Sequence, residues 1–212
     1  MEKLFGNNLM RLVMVLLTIV STNVWSENID SELNSAADKG NFSLVKKILD
    51  SKTIERDTLH TAFWIAIKKG NPAIIERFLQ AGVDVNLRAD NSYTSLMQVA
   101  RDGRDQVVEL LLAAGADVNA VSDEKDTALI LASEKDRRKV VALLLAANVD
   151  VNARRNNGMS ALLLAAQEGH QQTIQALIKA KADVNSQLEN GATPLMLAAQ
   201  HGHLGAVHSL IA

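Results

Sequence analysis

The segment Asp84-Val85-Asn86 returns as Asp117-Val118-Asn119, Asp150-Val151-Asn152 and Asp183-Val184-Asn185, each step one interval of 33 residues. Other columns keep the same frame. Thr61, Thr94, Thr127, Ser160 and Thr193 align, as do Leu96, Leu129, Leu162 and Leu195. So do the pairs Ile74-Ile75, Val107-Val108, Val140-Val141, Thr173-Ile174 and Ala206-Val207. Repetition at a fixed interval of about 20–50 residues restricts a chain to stacked units, because no single unit can bury its own apolar faces. The chain is therefore expected to grow as a solenoid rather than to close around one central core.

One unit can be read residue by residue. Thr94 is placed to cap a short helix carrying Leu96, Val99 and Ala100 at core spacing, and Gly103 ends it. A second helix carries Val107, Val108, Leu110, Leu111 and Leu112. Gly115 ends that one, since glycine takes the left-handed backbone of a helix C-terminus without strain. A polar connection then leads to the next unit. Each unit is expected to form two antiparallel helices and a projecting loop. Leu111 is assigned to the core face, at a position given also to Leu144 and Ile178. Composition agrees: hydrophobic residues make up 48% but aromatics only 3%, a balance for closely packed short helices rather than an all-β fold.

The run Gly191-Ala192-Thr193-Pro194-Leu195-Met196-Leu197-Ala198-Ala199-Gln200-His201-Gly202-His203 resembles the ankyrin repeat. The resemblance extends from Glu32 to Ala212. It implies an all-α ankyrin-repeat solenoid of about six helix pairs with projecting loops. The expected divisions are an N-terminal capping pair at 32–50, repeats at 57–89, 90–122, 123–155 and 156–188, and a C-terminal repeat at 189–212. Some residues depart from the family pattern. Trp64, Met97, Ile130, Leu163 and Met196 stand where the family carries histidine, so apolar packing is expected to replace that residue's hydrogen bonds. Asn148 and Lys181 stand where glycine ends the second helix. If the left-handed geometry is kept, Lys181 should be strained by roughly 1–2 kcal/mol. Asp136 replaces the glycine between helices, and a local alteration of that repeat is expected.

The N-terminus reads differently. Lys3 and Arg11 precede a nine-residue apolar run, Leu12 to Val20. That run is too short for a membrane span, which needs about 20 residues. Residues 1–26 read as a secretory signal peptide, with Val24 and Ser26 as the small residues before a cut ahead of Glu27. Retention of the segment as an anchor is the alternative. A periplasmic or secreted location is expected, with no membrane span after cleavage.

Several chemistries find no support. A net charge of −2 gives no electrostatic case for nucleic acid. The absence of cysteine removes disulfides, thiolate metal sites and a cysteine nucleophile. No G-x-S-x-G nucleophile motif or glycine-rich phosphate loop occurs. His201, His203 and His208 leave a metal-binding or enzymatic alternative open, but no carboxylate or cysteine completes a recognisable ligand set around them. No catalytic residue, metal or cofactor is assigned. Arg137-Arg138-Lys139 reads as a solvated surface, and the Asp-Val-Asn segments as framework rather than calcium sites.

What remains is a surface. The resemblance implies that a partner protein meets the concave face, built from loop tips and the exposed side of the first helices. By position, that face holds Tyr93, Arg101, Asp102, Asp126, Glu134, Lys135, Met159, Gln167 and Glu168, with Arg88, Arg154 and Asn156 on the loops. These positions differ between repeats while the core columns hold. Tyr93, the only tyrosine, is expected at a loop tip, facing solvent as an interface anchor. Phe63 and Trp64 are expected in the core. The functional expectation is a monomeric protein-binding scaffold outside the cytoplasm that inhibits, neutralises or stabilises its partner.

Overall fold

The structure, a computed structural model, describes residues 29–51 and 54–212; the export segment expected at 1–26 lies outside them. The described residues form six helix pairs. The first pair is α1 (29–38) with α2 (Phe42–Ser51). Then follow α3 (Arg56–Lys69) with α4 (Pro72–Gln80), and α5 (Ser95–Asp102) with α6 (Asp105–Ala113). The last three pairs are α7 (Ala128–Glu134) with α8 (Arg138–Ala146), α9 (Ala161–Gln167) with α10 (Gln171–Lys179), and α11 (Pro194–Gln200) with α12 (Leu204–Ile211). Successive odd-numbered helices from α3 onward pack on one another, and so do successive even-numbered helices from α2. The result is two helical layers, a solenoid of stacked helix pairs as expected, with no strand longer than an isolated bridge among the described residues. No helix among the described residues is long and apolar enough to cross a membrane.

The recurring columns account for the elements. Thr94, Thr127, Ser160 and Thr193 each accept a hydrogen bond from the backbone N–H three residues on, at 3.2 to 3.3 Å, and so cap α5, α7, α9 and α11. Such a cap contributes about 1 kcal/mol. Leu96, Leu129 and Leu162 are buried between the layers, as are Val107, Val108, Val140 and Val141. Leu111 is fully buried, and its counterparts one interval apart are Leu144 and Leu177, both also buried. Ile178, assigned to that position from sequence, lies one place further on and is only half-buried. Thr61, aligned with these capping residues, has a different place. It lies inside α3, its hydroxyl donating to the Asp57 carbonyl at 2.9 Å, because α3 begins at Arg56 and extends well before the caps of the later helices.

From the second pair onward the chain makes a short hairpin between consecutive pairs. The N–H groups of Ala89, Ser122, Arg155 and Leu188 donate to the carbonyls of Tyr93, Asp126, Met159 and Ala192 at 2.8 to 3.0 Å. Asparagine side chains then join one repeat to the next. Asn86, Asn119 and Asn152 each accept, through Oδ1, from the N–H of Asp117, Asp150 and Asp183 at 2.8 to 2.9 Å. Asp84, Asp117, Asp150 and Asp183 accept the N–H two residues on within their own turns. The Asp-Val-Asn columns are thus a ladder of inter-repeat bonds.

A second ladder runs along the turns between helices. Arg104 donates to the Lys68 carbonyl at 2.7 Å and Arg137 to the Arg101 carbonyl at 2.9 Å. His170 and His203 donate through Nε2 to the carbonyls of Glu134 and Gln167 at 3.1 and 3.0 Å. Each side chain satisfies a carbonyl that the end of a first helix would leave orphaned. Arg137 is exposed, as are Arg138 and Lys139, and it also serves as a bonded joint between repeats.

The departures from glycine do not change the backbone. Asp136 keeps the left-handed conformation of its glycine counterparts, with φ 50°, so the alteration expected there is absent. Its carboxylate accepts from the Thr173 hydroxyl at 2.7 Å and pairs with Arg138 at 3.2 Å, which ties the turn to the next repeat. Lys181 is also held left-handed, with φ 66°, and its strain is retained.

Candidate functional site

The hairpins pack beside the ends of the odd-numbered helices, on the face where the resemblance places partner contact. Trp64 and Lys68 on α3, Gln98 and Arg101 on α5, and Ala89, Asp90, Asn91 and Tyr93 in the connecting hairpin line one open cleft of about 350 Å³. The cleft exists because a 33-residue interval sets the end of α5 beside the end of α3, under the same hairpin.

Tyr93 is not a free aromatic at a loop tip. It is half-buried and packs on Met97, Ala120 and Leu131, a small apolar cluster separate from the main core. Its hydroxyl is enclosed and has no hydrogen-bond partner among the described residues. Burial pushes its ionisation above the ordinary value, and the nearby Arg101 only partly opposes this. The Arg101 guanidinium lies over the ring at 5.7 Å from its centroid, within cation–π range. Phe63 is fully buried, and Trp64, half-buried, packs against the main core as expected while also forming part of the cleft wall, with Nε1 enclosed and without a partner among the described residues. Consecutive helical positions point about 100° apart, so only one of the two rings reaches the cleft.

The two central carboxylates are already engaged. Arg155, in the next hairpin, binds Asp126 through Nε and Glu134 through Nη2, the latter at 2.6 Å. Lys135 adds a contact to Glu134 at 2.9 Å. Burial works to raise the Glu134 ionisation, but the hydrogen bonds from Lys135 and Arg155 and their charges outweigh it and hold this carboxyl below its ordinary value. Arg155 escaped the sequence reading because its column is not periodic: Ala89, Ser122 and Leu188 occupy the matching places. Asp102 is held within its own repeat, accepting from Gln98 Nε2 at 2.9 Å and lying 3.6 Å from Arg104.

The remaining positions divide between surface and scaffold. Arg101, Lys135 and Glu168 are exposed, while Gln167 is half-buried and donates to Glu168 at 3.0 Å. Met159 is half-buried against the main core. Arg88 and Arg154 reach the carbonyls of Val121 and Gln187 at 2.9 and 2.7 Å, and Asn156 reaches the Asp123 carbonyl at 3.0 Å. These three join neighbouring hairpins.

The C-terminal histidines show no ligand geometry. His203 commits Nε2 to the Gln167 carbonyl, and His201 commits Nδ1 to the Leu197 carbonyl at 2.9 Å. The two rings stack with centroids 6.1 Å apart. Among the described residues, no three histidines, aspartates or glutamates gather as a metal site would require.

Ankyrin repeats match the chain in three overlapping copies, over residues 33–122, 63–155 and 129–212. No curated protein matches the sequence. With stacked helix pairs, hairpins joined by asparagine and arginine bonds, and family matches reaching from 33 to 212, the chain belongs to the ankyrin-repeat family, whose repeats support protein–protein interaction.

Proposed function

We propose that this chain is a protein-binding scaffold that works outside the cytoplasm, as a monomer, inhibiting, neutralising or stabilising a partner protein. The observation that carries the reading is the contrast along the inner face. A bonded framework fixes the repeats, while the exposed and half-buried side chains on it change from one repeat to the next: Lys68, Arg101, Glu134, Gln167 and Gln200 occupy one column. A rigid platform with variable side chains suits selective recognition, in which a few positions dominate affinity. The location outside the cytoplasm rests on the signal-like sequence at 1–26. No catalytic role is proposed, because the ionisable groups of the inner face are engaged as ion pairs or stand as separate surface charges.

The test begins with affinity capture of a partner by the full-length chain. Arg101→Ala, Lys135→Ala and Gln167→Ala together should weaken the captured complex by at least about tenfold, or roughly 1.4 kcal/mol. Arg138→Ala with Lys139→Ala, at the N-terminus of α8, should leave affinity nearly unchanged. Tyr93 is left out of this set because its ring is part of the packing. If the α8 pair abolishes binding and the inner-face set does not, the surface is misassigned. Mass spectrometry of exported protein should find a mature start at Glu27; an intact 1–26 segment there would contradict cleavage.

A further inference from the structure

We propose that the cleft between α3, α5 and the first hairpin seats an acidic segment of the partner protein, with a carboxylate side chain between Lys68 and Arg101. The proposal rests on the protein-binding reading of the inner face and adds the chemistry of what binds there. Lys68 and Arg101 sit one repeat apart in the same column and line the same cleft. Among the described residues, neither pairs with a carboxylate. Several cations near them are paired: Lys69 with Asp38 at 2.8 Å, Arg104 with Asp102 at 3.6 Å, Lys135 with Glu134 at 2.9 Å, and Arg155 with both Asp126 and Glu134. Lys68 and Arg101 are thus two cations without a carboxylate partner in a cleft lined by a single carboxylate, Asp90.

The rest of the cleft fixes the kind of anion. Arg101 is held in place, bonded to Gln98 at 3.4 Å and lying over the Tyr93 ring. Trp64, Ala89 and Tyr93 add an apolar wall, on which an aliphatic neighbour of the bound carboxylate can lie. Asp90, on the rim, is the one carboxylate among the lining residues. It suits a backbone N–H of the same segment and opposes a second anion. A nucleic acid would bring phosphate after phosphate against Asp90, Asp102, Asp123 and Glu124, whereas a peptide can place one carboxylate at a time. Beyond Arg101 the column turns to Glu134, Gln167 and Gln200, so the cationic stretch is confined to this end of the face.

The probe is a fluorescein-labelled decapeptide of alternating glutamate and leucine, with a lysine-for-glutamate analogue as control. Fluorescence anisotropy is measured with the full-length chain. Saturable binding of the acidic peptide is expected, weakened at least about tenfold by Lys68→Ala with Arg101→Ala. Arg138→Ala with Lys139→Ala removes the same charge elsewhere and should leave binding within about twofold. Lys68→Glu with Arg101→Glu should transfer preference to the lysine peptide. Circular dichroism checks that each variant is folded. Absence of saturable binding, equal loss in the α8 control pair, or displacement by an oligothymidylate at lower concentration than by unlabelled acidic peptide would each overturn the proposal. If the acidic peptide fails while Lys135→Ala or Gln167→Ala still weakens the captured partner, the inner-face reading stands and only this proposal falls.

Discussion

Replacing Tyr93 with phenylalanine should stabilise the protein, and replacing it with alanine should do the opposite. The ring packs on Met97, Ala120 and Leu131, while the hydroxyl is enclosed and has no partner among the described residues. A buried hydroxyl without a hydrogen bond costs about 1–3 kcal/mol. Because the residue as a whole is half-buried, the lower end applies, and Tyr93→Phe should gain about 1 kcal/mol. Full truncation of a buried large aromatic costs about 3–5 kcal/mol. Tyr93→Ala removes a half-buried ring and the surface under Arg101, so a loss of about 2–3 kcal/mol is expected. Urea unfolding followed by circular dichroism measures both. A spectrophotometric titration gives an independent check, since Tyr93 is the only tyrosine in the chain. Its folded ionisation should lie above the unfolded value of about 10. The stability tied to this group is therefore fully present below that value and is lost as pH rises through the folded value. If Tyr93→Phe loses more than about 0.5 kcal/mol, the hydroxyl makes a bond worth keeping and the reasoning fails.

Three further outcomes follow from the packing and the charges. Leu111→Ala should lose about 2–5 kcal/mol in urea unfolding, because neighbouring repeats cannot collapse fully into the cavity; a loss of a few tenths would mean that the core face is misplaced. Lys181→Gly should gain about 1 kcal/mol by relieving a left-handed lysine, and unchanged or reduced stability would show that the strain is negligible. Glu134 is held below its ordinary ionisation, so its contribution is present above the unfolded value of about 4.3 and is lost as pH falls through the lower folded value. The stability difference between wild type and Glu134→Gln should shrink from pH 6 to pH 3; a difference that stays constant would remove the linkage.

The fold was legible because burial in a solenoid repeats with the sequence. Val107 and Val140, or Leu111 and Leu144, meet the same surroundings one interval apart, so one unit explains the next. The backbone was more tolerant than the residues implied. Asp136 was read as a disruption, yet neighbouring repeats hold its turn in place and its carboxylate finds Thr173 and Arg138. The candidate face was only partly legible. Position in the frame placed Arg101, Glu134 and Lys135 at the C-terminal ends of α5 and α7. It did not show that Tyr93 sinks onto Leu131, nor that Arg155 gathers Asp126 and Glu134, because such contacts join side chains that occur in one repeat only. The joint formed by Arg104, Arg137, His170 and His203 did carry a signal, since that column holds only side chains able to donate from nitrogen. Its meaning depended on the carbonyl of the preceding repeat, which no residue type announces.

Hydrogen–deuterium exchange of the chain, with and without its captured partner, tests the central claim most directly. Slowed exchange is expected in the hairpins around Asn91 and Glu124 and at the C-terminal ends of α3, α5 and α7, where bound protein would cover frayed amides. The even-numbered helices α6, α8 and α10 should change little. Protection confined to those helices, with the hairpins and odd-numbered helices unchanged, would contradict recognition through the inner face.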